Sequence, residues 1–374
     1  MVQTSCHVRR VVITLLTRRV YNARGGVFMR VRSSILWALA ALCSVVVGLR
    51  AADPQYSKTG EIHIGGAGAF DYLNFDPATR RLYVTHGTEV VVIDTANNTI
   101  VGRIADTPGV HGIAIAPGNR GFTSNGRENK VSIVDLSKLE TLSKVDTGAN
   151  PDAILYEPQK KEVYAFNHTG SSATVIDATS GKVVATIPLG GAVETGQSDA
   201  SLNRVYVNVE DQDNIDVIDT TKHTVVAHWP IAPASSGTGM AIDPATHRLF
   251  VGGGKALVMM DGASGRVLSN VPICNGTDST WFDPGTKMVF VSCSDGHITM
   301  AHEDSPTQLR AAGTIDTARG AKTMALDPKT HTIYTVAQNY QPVDPNAVAP
   351  PAGGRARGPA GVPDTLHVLI FSPK

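Results

Sequence analysis

The stretch Phe75–Ile104 reads FDPATRRLYVTHGTEVVVIDTANNTIVGRI, and Ile115–Val145 reads IAPGNRGFTSNGRENKVSIVDLSKLETLSKV. Each holds a turn, a short apolar run, a polar break, a second run ending in Asp, another turn and a third run. Aligning the chain on Asp-Pro and its degenerate versions gives seven landmarks: Asp76, Ala116, Glu157, Asp199, Asp243, Asp283 and Asp327. They are 40, 41, 42, 44, 40 and 44 residues apart. The run after each landmark is RLYVT, RGFTS, EVYAF, RVYVN, RLFVG, MVFVS or TIYTV.

Runs of five or six β-branched and aromatic residues, separated by Gly, Pro, Asn and Asp, are strands. A period near forty with several strands per unit is the pattern of β-propeller blades. The expected fold is all-β, a seven-bladed propeller. The seventh unit ends at Leu366–Ser372 without an outermost strand, and Gly60–Gly66 resembles the fourth strand Ile187–Gly191. The N-terminal strand is therefore expected to close the last blade, pairing two open edges. Asp in the landmark turns, and at Asp94, Asp135, Asp177, Asp219 and Asp261, suits capping of the backbone amides that follow.

Three and one residues before the landmark, side chains are mostly large, as in Ile113 and Ile115. Four and two before, they are often small, as in Gly112 and Ala114. Large against small is what facing twisted sheets need to interdigitate. The fourth unit breaks the pattern with Gly196 and Ser198.

Charge divides the chain. Residues 1–51 hold eight arginines and no acid, which leaves residues 52–374 with 25 basic and 33 acidic side chains, a formal −8. Met29-Arg30-Val31-Arg32, the apolar run Ile35–Val47 and the small residues Ala51-Ala52 read as a secretory signal peptide. We read 1–51 as an upstream extension plus signal, with translation starting at Met29, and 52–374 as the propeller. A mostly apolar run of thirteen residues is short for a membrane span, so the domain is expected in the periplasm or secreted, without a stable span after cleavage; a retained N-terminal anchor is the alternative and would also leave it outside the cytoplasm. Cys274 and Cys293 then remain, either as a disulfide or as two buried thiols.

Leu82-Tyr83-Val84-Thr85, Val205-Tyr206-Val207-Asn208 and the Val-Ile-Asp triplets at 92–94, 175–177 and 217–219 resemble the YVTN-repeat propellers, the YncE-like family. The resemblance covers about residues 60–374 and implies a secreted or periplasmic seven-bladed ring. Some such relatives bind DNA and others belong to surface layers, and the repeat motif carries no catalytic residue. Asp177–Lys182 also resembles the blade motif of pyrroloquinoline-quinone dehydrogenases, but Ala185 stands where those place a docking Trp. No pyrroloquinoline quinone is expected.

Five residues before the landmarks stand Asp71, His111, Asp152, Glu194, Thr238, Asp278 and Lys322. Superposed blades would set them in one ring at the channel mouth. Such a ring can hold a divalent cation such as calcium, with Asp71, His111 and Asp152 as candidate ligands, or recognise a basic ligand. Alternatively these are solvated strand ends, with Lys322 neutralising Asp71 or Asp278. Loops on the same face add His86, Asn125, His168, Glu210 and Asp295. A Pro/Gly-rich insert at 341–364 adds Arg355 and Arg357, as a spacer or as a partner-binding arm.

The motifs GxSxG, HExxH and CxxCH are absent. A domain at −8 without a basic stripe is a poor partner for nucleic acid. The expected function is that of a monomeric, non-enzymatic binding or scaffold module for a protein, peptide or small ligand. A metal-assisted hydrolase or lactonase-like propeller is the first alternative, and a DNA-binding YncE-like protein the second.

Overall fold

The computed structural model describes residues 52–342 and 361–374, within a compact unit Asp53–Lys374. The expected signal segment, Arg355 and Arg357 lie outside the described residues. Seven antiparallel four-stranded sheets make up the unit, and in six of them strand order follows the chain. The innermost strands touch in sequence, and the seventh touches the first, so the sheets form a closed ring. The chain is a seven-bladed β-propeller.

Every landmark is the last residue of an innermost strand, from Phe70–Asp76 in blade 1 to Met324–Asp327 in blade 7. Blade 7 is completed by Tyr56–His63, which pairs with His367–Pro373 from Tyr56↔Pro373 to His63↔His367. The closing strand thus begins and ends earlier than the Gly60–Gly66 expected from sequence. Its end has a backbone cause, because Gly65 and Gly66 turn the chain away with φ of 68° and 83°.

The landmark carboxylates cap their turns and also lock the blades together. One oxygen accepts an amide two residues on, as from Ala78 to Asp76 and from Gly285 to Asp283. In four blades the other oxygen is bonded by a base from the next blade. These pairs are His247–Asp199 at 2.6 Å, Lys287–Asp243 at 3.0 Å, His331–Asp283 at 2.7 Å and Arg80–Asp327 at 3.0 Å. Each base lies four residues past its own landmark, and each has a φ near +57°, which aims its side chain backward over the seam.

The anomaly in unit four has a packing reason. A Cβ added at Gly196 would lie 2.7 Å from the Phe166 ring of blade 3. Phe166 is buried where the neighbouring units carry Thr85, Ser124, Asn208 and Gly252. Large and small have changed sides at this one seam.

All seven outermost strands carry a one-residue bulge at the same place: Thr59, Val101, Leu142, Val184, Val226, Leu268 and Ala312. Val101, Leu142, Val184 and Val226 are thereby exposed. A bulge in an edge strand interrupts the row of free amides and carbonyls that another chain would pair with. Among the described residues no helix is long and apolar enough to cross a membrane.

Candidate functional site

Six of the seven ring positions sit at the loop end of the innermost strands, where the strand register breaks, and Lys322 lies two residues before the strand Met324–Asp327. In blade 1 Phe70 pairs with His86 and Leu73 with Val84, so Asp71 and Tyr72 together face only Thr85. The same two-against-one bulge holds His111 and Gly112, Asp152 and Ala153, and Glu194 and Thr195. Thr238 and Asp278 are the extra residues in blades 5 and 6. A bulge re-aims a side chain that regular alternation would send between blades, and here it turns the ring residues toward the axis.

Hydroxyl groups fix these bulges to one another. Thr85 Oγ1 donates to the His111 carbonyl at 3.0 Å, Thr238 Oγ1 to the Thr277 carbonyl at 2.9 Å, and Thr323 Oγ1 to the Asp71 carbonyl at 2.9 Å. Ser124 bonds the Asp152 carbonyl and Ser292 the Lys322 carbonyl in the same way. Neighbouring blades therefore hold the backbone of the ring before any ligand arrives.

The side chains form an acid–base chain around the mouth. Lys322 Nζ lies 2.9 Å from Asp278 Oδ2 and 3.6 Å from Asp71 Oδ1. Asp71 Oδ2 is 2.6 Å from His111 Nδ1, which is 3.7 Å from Asp152 Oδ1. On the far side His168 Nδ1 is 3.3 Å from Glu194 Oε1. All of these residues are partly exposed. Thr238 stands in the ring but spends its hydroxyl on the Thr277 carbonyl, so it takes no part in this chain.

Sequence reasoning missed Tyr72. Its hydroxyl donates across the channel from blade 1 to Glu194 Oε2 of blade 4, at 3.3 Å. Its ring packs against the core shared by blades 3 and 4, with Leu155. Below the ring, the channel holds a cavity of about 440 Å³ lined by residues of all seven innermost strands, Tyr72 among them. The signal was present in the sequence. Four residues before the landmark the other units have Gly112, Ala153, Thr195, Gly239, Ser279 and Thr323, and only unit one has a large residue there.

Burial and crowding set the protonation of the ring. Burial disfavours the His111 imidazolium, but the bond to Asp71 and the charges of Asp152 and Asp71 outweigh it and push His111 up to about 9. The bond to Glu194, working against burial, also lifts His168 to about 9. Burial and the Asp71 charge, opposed by His111, push Asp152 up to about 8. Burial raises Asp278 to about 6 despite Lys322. Lys322 is itself held well above its ordinary range, because Asp71 and Asp278 outweigh its desolvation. Crowding of buried acids and imidazoles thus raises His111, His168 and Asp152 together, and an incoming cation would compete with protons for them.

Other expected loop residues have local roles. His86 is buried beside Gly66, and burial lowers its pKa. Asn125 is buried and donates to Glu128 and Ser132. These two are not presented to a ligand. Glu210 and Asp295 are half-buried on their loops. Asp295 accepts the Asn275 amide at 2.8 Å and lies near Cys274 and Cys293. Those cysteines form a disulfide with Cα atoms 5.9 Å apart, which removes their sulfurs as metal ligands.

No protein-family model matches this sequence. Over 121 residues it is 31% identical to the uncharacterized protein YncE of Salmonella typhi and to that of Salmonella typhimurium. The match covers 30% of this chain and 34% of the length of each of these curated relatives. This local identity and the seven blades together support the YncE-like resemblance. Among solved structures the fold is similar to Kuenenia stuttgartiensis hydrazine synthase, with a TM-score of 0.64 at 16% identity, covering 75% of this chain and 96% of that one. It is also similar to a chain in a crystal structure of the mitotic checkpoint complex, with a TM-score of 0.65 at 14% identity, covering 86% and 96%. At these identities the likeness is one of fold alone.

Proposed function

We propose that this chain is an extracytoplasmic, non-enzymatic binding module whose ligand sits at the mouth of the central channel. One observation carries the reading. Asp71, His111, Asp152, His168, Glu194, Asp278, Lys322 and the Tyr72 hydroxyl converge there on a backbone fixed by hydroxyls from neighbouring blades. A preorganised, concave and partly exposed polar site above a cavity is what recognition of a small polar ligand requires. The Cys274–Cys293 disulfide supports an oxidising compartment, as does the signal-like run at 35–47.

A thermal-shift screen of polar small molecules and divalent cations, with and without chelator, tests the reading. A true ligand should stabilise the parent and lose most of that effect in Glu194→Gln. A ligand that stabilises both proteins equally binds elsewhere. Metal-assisted hydrolysis is the second reading, favoured by the mixing of imidazole and carboxylate donors along Asp71–His111–Asp152. Turnover of lactones or esters by the metal-loaded protein, absent from Asp152→Asn, would support it.

A further inference from the structure

The geometry points to a two-cation centre at the channel mouth, built for divalent first-row transition metals and bridged by the carboxylate of Asp152. This rests on the channel-mouth reading proposed above. One ligand atom each from Asp71, His111 and Asp152 lie within 4.8 Å of one another, and so do one each from Asp152, His168 and Glu194. Asp152 belongs to both sets. Each lobe therefore offers one imidazole and two carboxylates, with the middle carboxylate shared.

The spacing suits such ions. Zinc holds nitrogen and oxygen ligands at about 2.0–2.2 Å, which sets neighbouring ligand atoms about 3–3.5 Å apart. Two observed pairs bracket that range, 2.6 Å for Asp71–His111 and 3.7 Å for His111–Asp152, and His168 Nδ1, which also bonds the Val193 carbonyl at 3.0 Å, stands 3.3 Å from Glu194. In this proposal the ions are seated by rotation of side chains whose ligand atoms already lie within 4.8 Å of one another. The backbone in turn is pinned where it matters, since Thr85 holds the His111 carbonyl and Ser124 the Asp152 carbonyl. Paired metals sharing ligands stand about 3.5–4 Å apart in two-metal sites, a distance that the two oxygens of one carboxylate can span.

The donor set also selects the metal. Calcium takes six to eight oxygens, whereas a site with one imidazole per lobe suits zinc or manganese. In this proposal zinc or manganese takes the place of the calcium expected at Asp71, His111 and Asp152, because each lobe carries an imidazole. Lys322, seated between Asp71 and Asp278, fills the remaining arc with a fixed positive charge and confines the ions to the stretch from Asp71 to Glu194.

Metal stoichiometry tests the centre. The purified protein is stripped with chelator, dialysed against a buffered free-zinc concentration and measured for zinc per chain. The parent should hold two. His168→Ala and Asp71→Asn should each hold one, and Asp152→Asn none at the same free zinc. Manganese-loaded parent should show the electron-paramagnetic-resonance spectrum of a coupled pair, and His168→Ala that of an isolated ion. The spectrum of the parent decides the matter even if Asp152→Asn fails to fold. One zinc or none in the parent, zinc retained by a folded Asp152→Asn, or an uncoupled manganese spectrum would overturn the centre. A parent that holds no zinc but is stabilised in chelator by an organic ligand, with the effect lost in Glu194→Gln, overturns the centre and leaves the channel-mouth reading standing.

Discussion

Arg80 of blade 1 donates through Nη1 to Asp327 Oδ2 of blade 7 at 3.0 Å, tying the last blade to the first at the end of the strands opposite the ring. Asp327 is fully buried and Arg80 about one-third exposed. Burial would raise the Asp327 pKa, but bonds from Thr330, the Lys329 amide and Arg80 outweigh it and hold the carboxyl below its ordinary range. Arg80→Ala removes the charged donor and leaves the carboxylate buried, so it should cost about 1–3 kcal/mol of stability. Arg80→Lys, which keeps the charge, should cost less. Denaturant unfolding of the two variants measures the difference. The sign with pH follows from the lowered pKa: this stabilisation is full above the unfolded pKa and is lost as pH falls through the folded one.

The same seam depends on the strand Tyr56–His63. Without it, the edge of His367–Pro373 would present open amides and carbonyls. Deleting residues 56–63 should give aggregation or a broad, non-cooperative melt. Size-exclusion chromatography and calorimetry check this, and a truncated monomer as stable as the parent would show that the ring closes without the strand.

Much of this architecture is legible in the sequence, because a repeat states its own geometry seven times. Blade number, ring position and landmark turns follow from spacing alone. The seam contacts do not. The His247–Asp199 lock needs the relative rotation of two blades, which no single unit encodes. His168 could be placed on the loop face, yet its approach to Glu194 depends on how blades 3 and 4 meet. Tyr72 and Phe166 were visible as departures from their columns, but what each departure meant required knowing what lay across the gap.

The Cys274–Cys293 bond closes a loop with a sequence separation of 19. On chain-entropy grounds its loss should cost about 3 kcal/mol. A non-reducing peptide map should recover the two peptides linked, and Cys274→Ser should melt below the parent. Recovery of both as free thiols would refute the bond.

Tyr72 contributes both a hydrogen bond to Glu194 and a ring packed against the core of blades 3 and 4, and one substitution separates the two. Tyr72→Phe keeps the ring across the channel and removes only the donor to Glu194, which should cost about 0.5–1.5 kcal/mol. It should also leave a channel-mouth ligand bound, since the carboxylates and imidazoles remain in place. Melting curves with and without that ligand resolve the two effects.

The ring itself should make the chelated protein less stable in alkali. His111 and His168 stand at about 9 in the folded state against an ordinary 6.5, so what they contribute is full below the ordinary value and is lost as pH rises through 9. Asp152 is raised to about 8 from 3.8. Over that interval the unfolded chain has released a proton that the folded chain still holds, so stability again falls with rising pH. Asp71, whose pKa the Lys322 and His111 charges lower against its burial, slopes the other way, but only at the acid end. In chelator the melting temperature should therefore decline between about pH 6 and 9. Asp152→Asn has no proton to release there and also takes away a charge that raises both imidazoles, so its decline should be shallower than the parent's. A parent melting temperature that is flat or rising over this window would mean that the ring carboxylates and imidazoles do not share protons as their spacing implies.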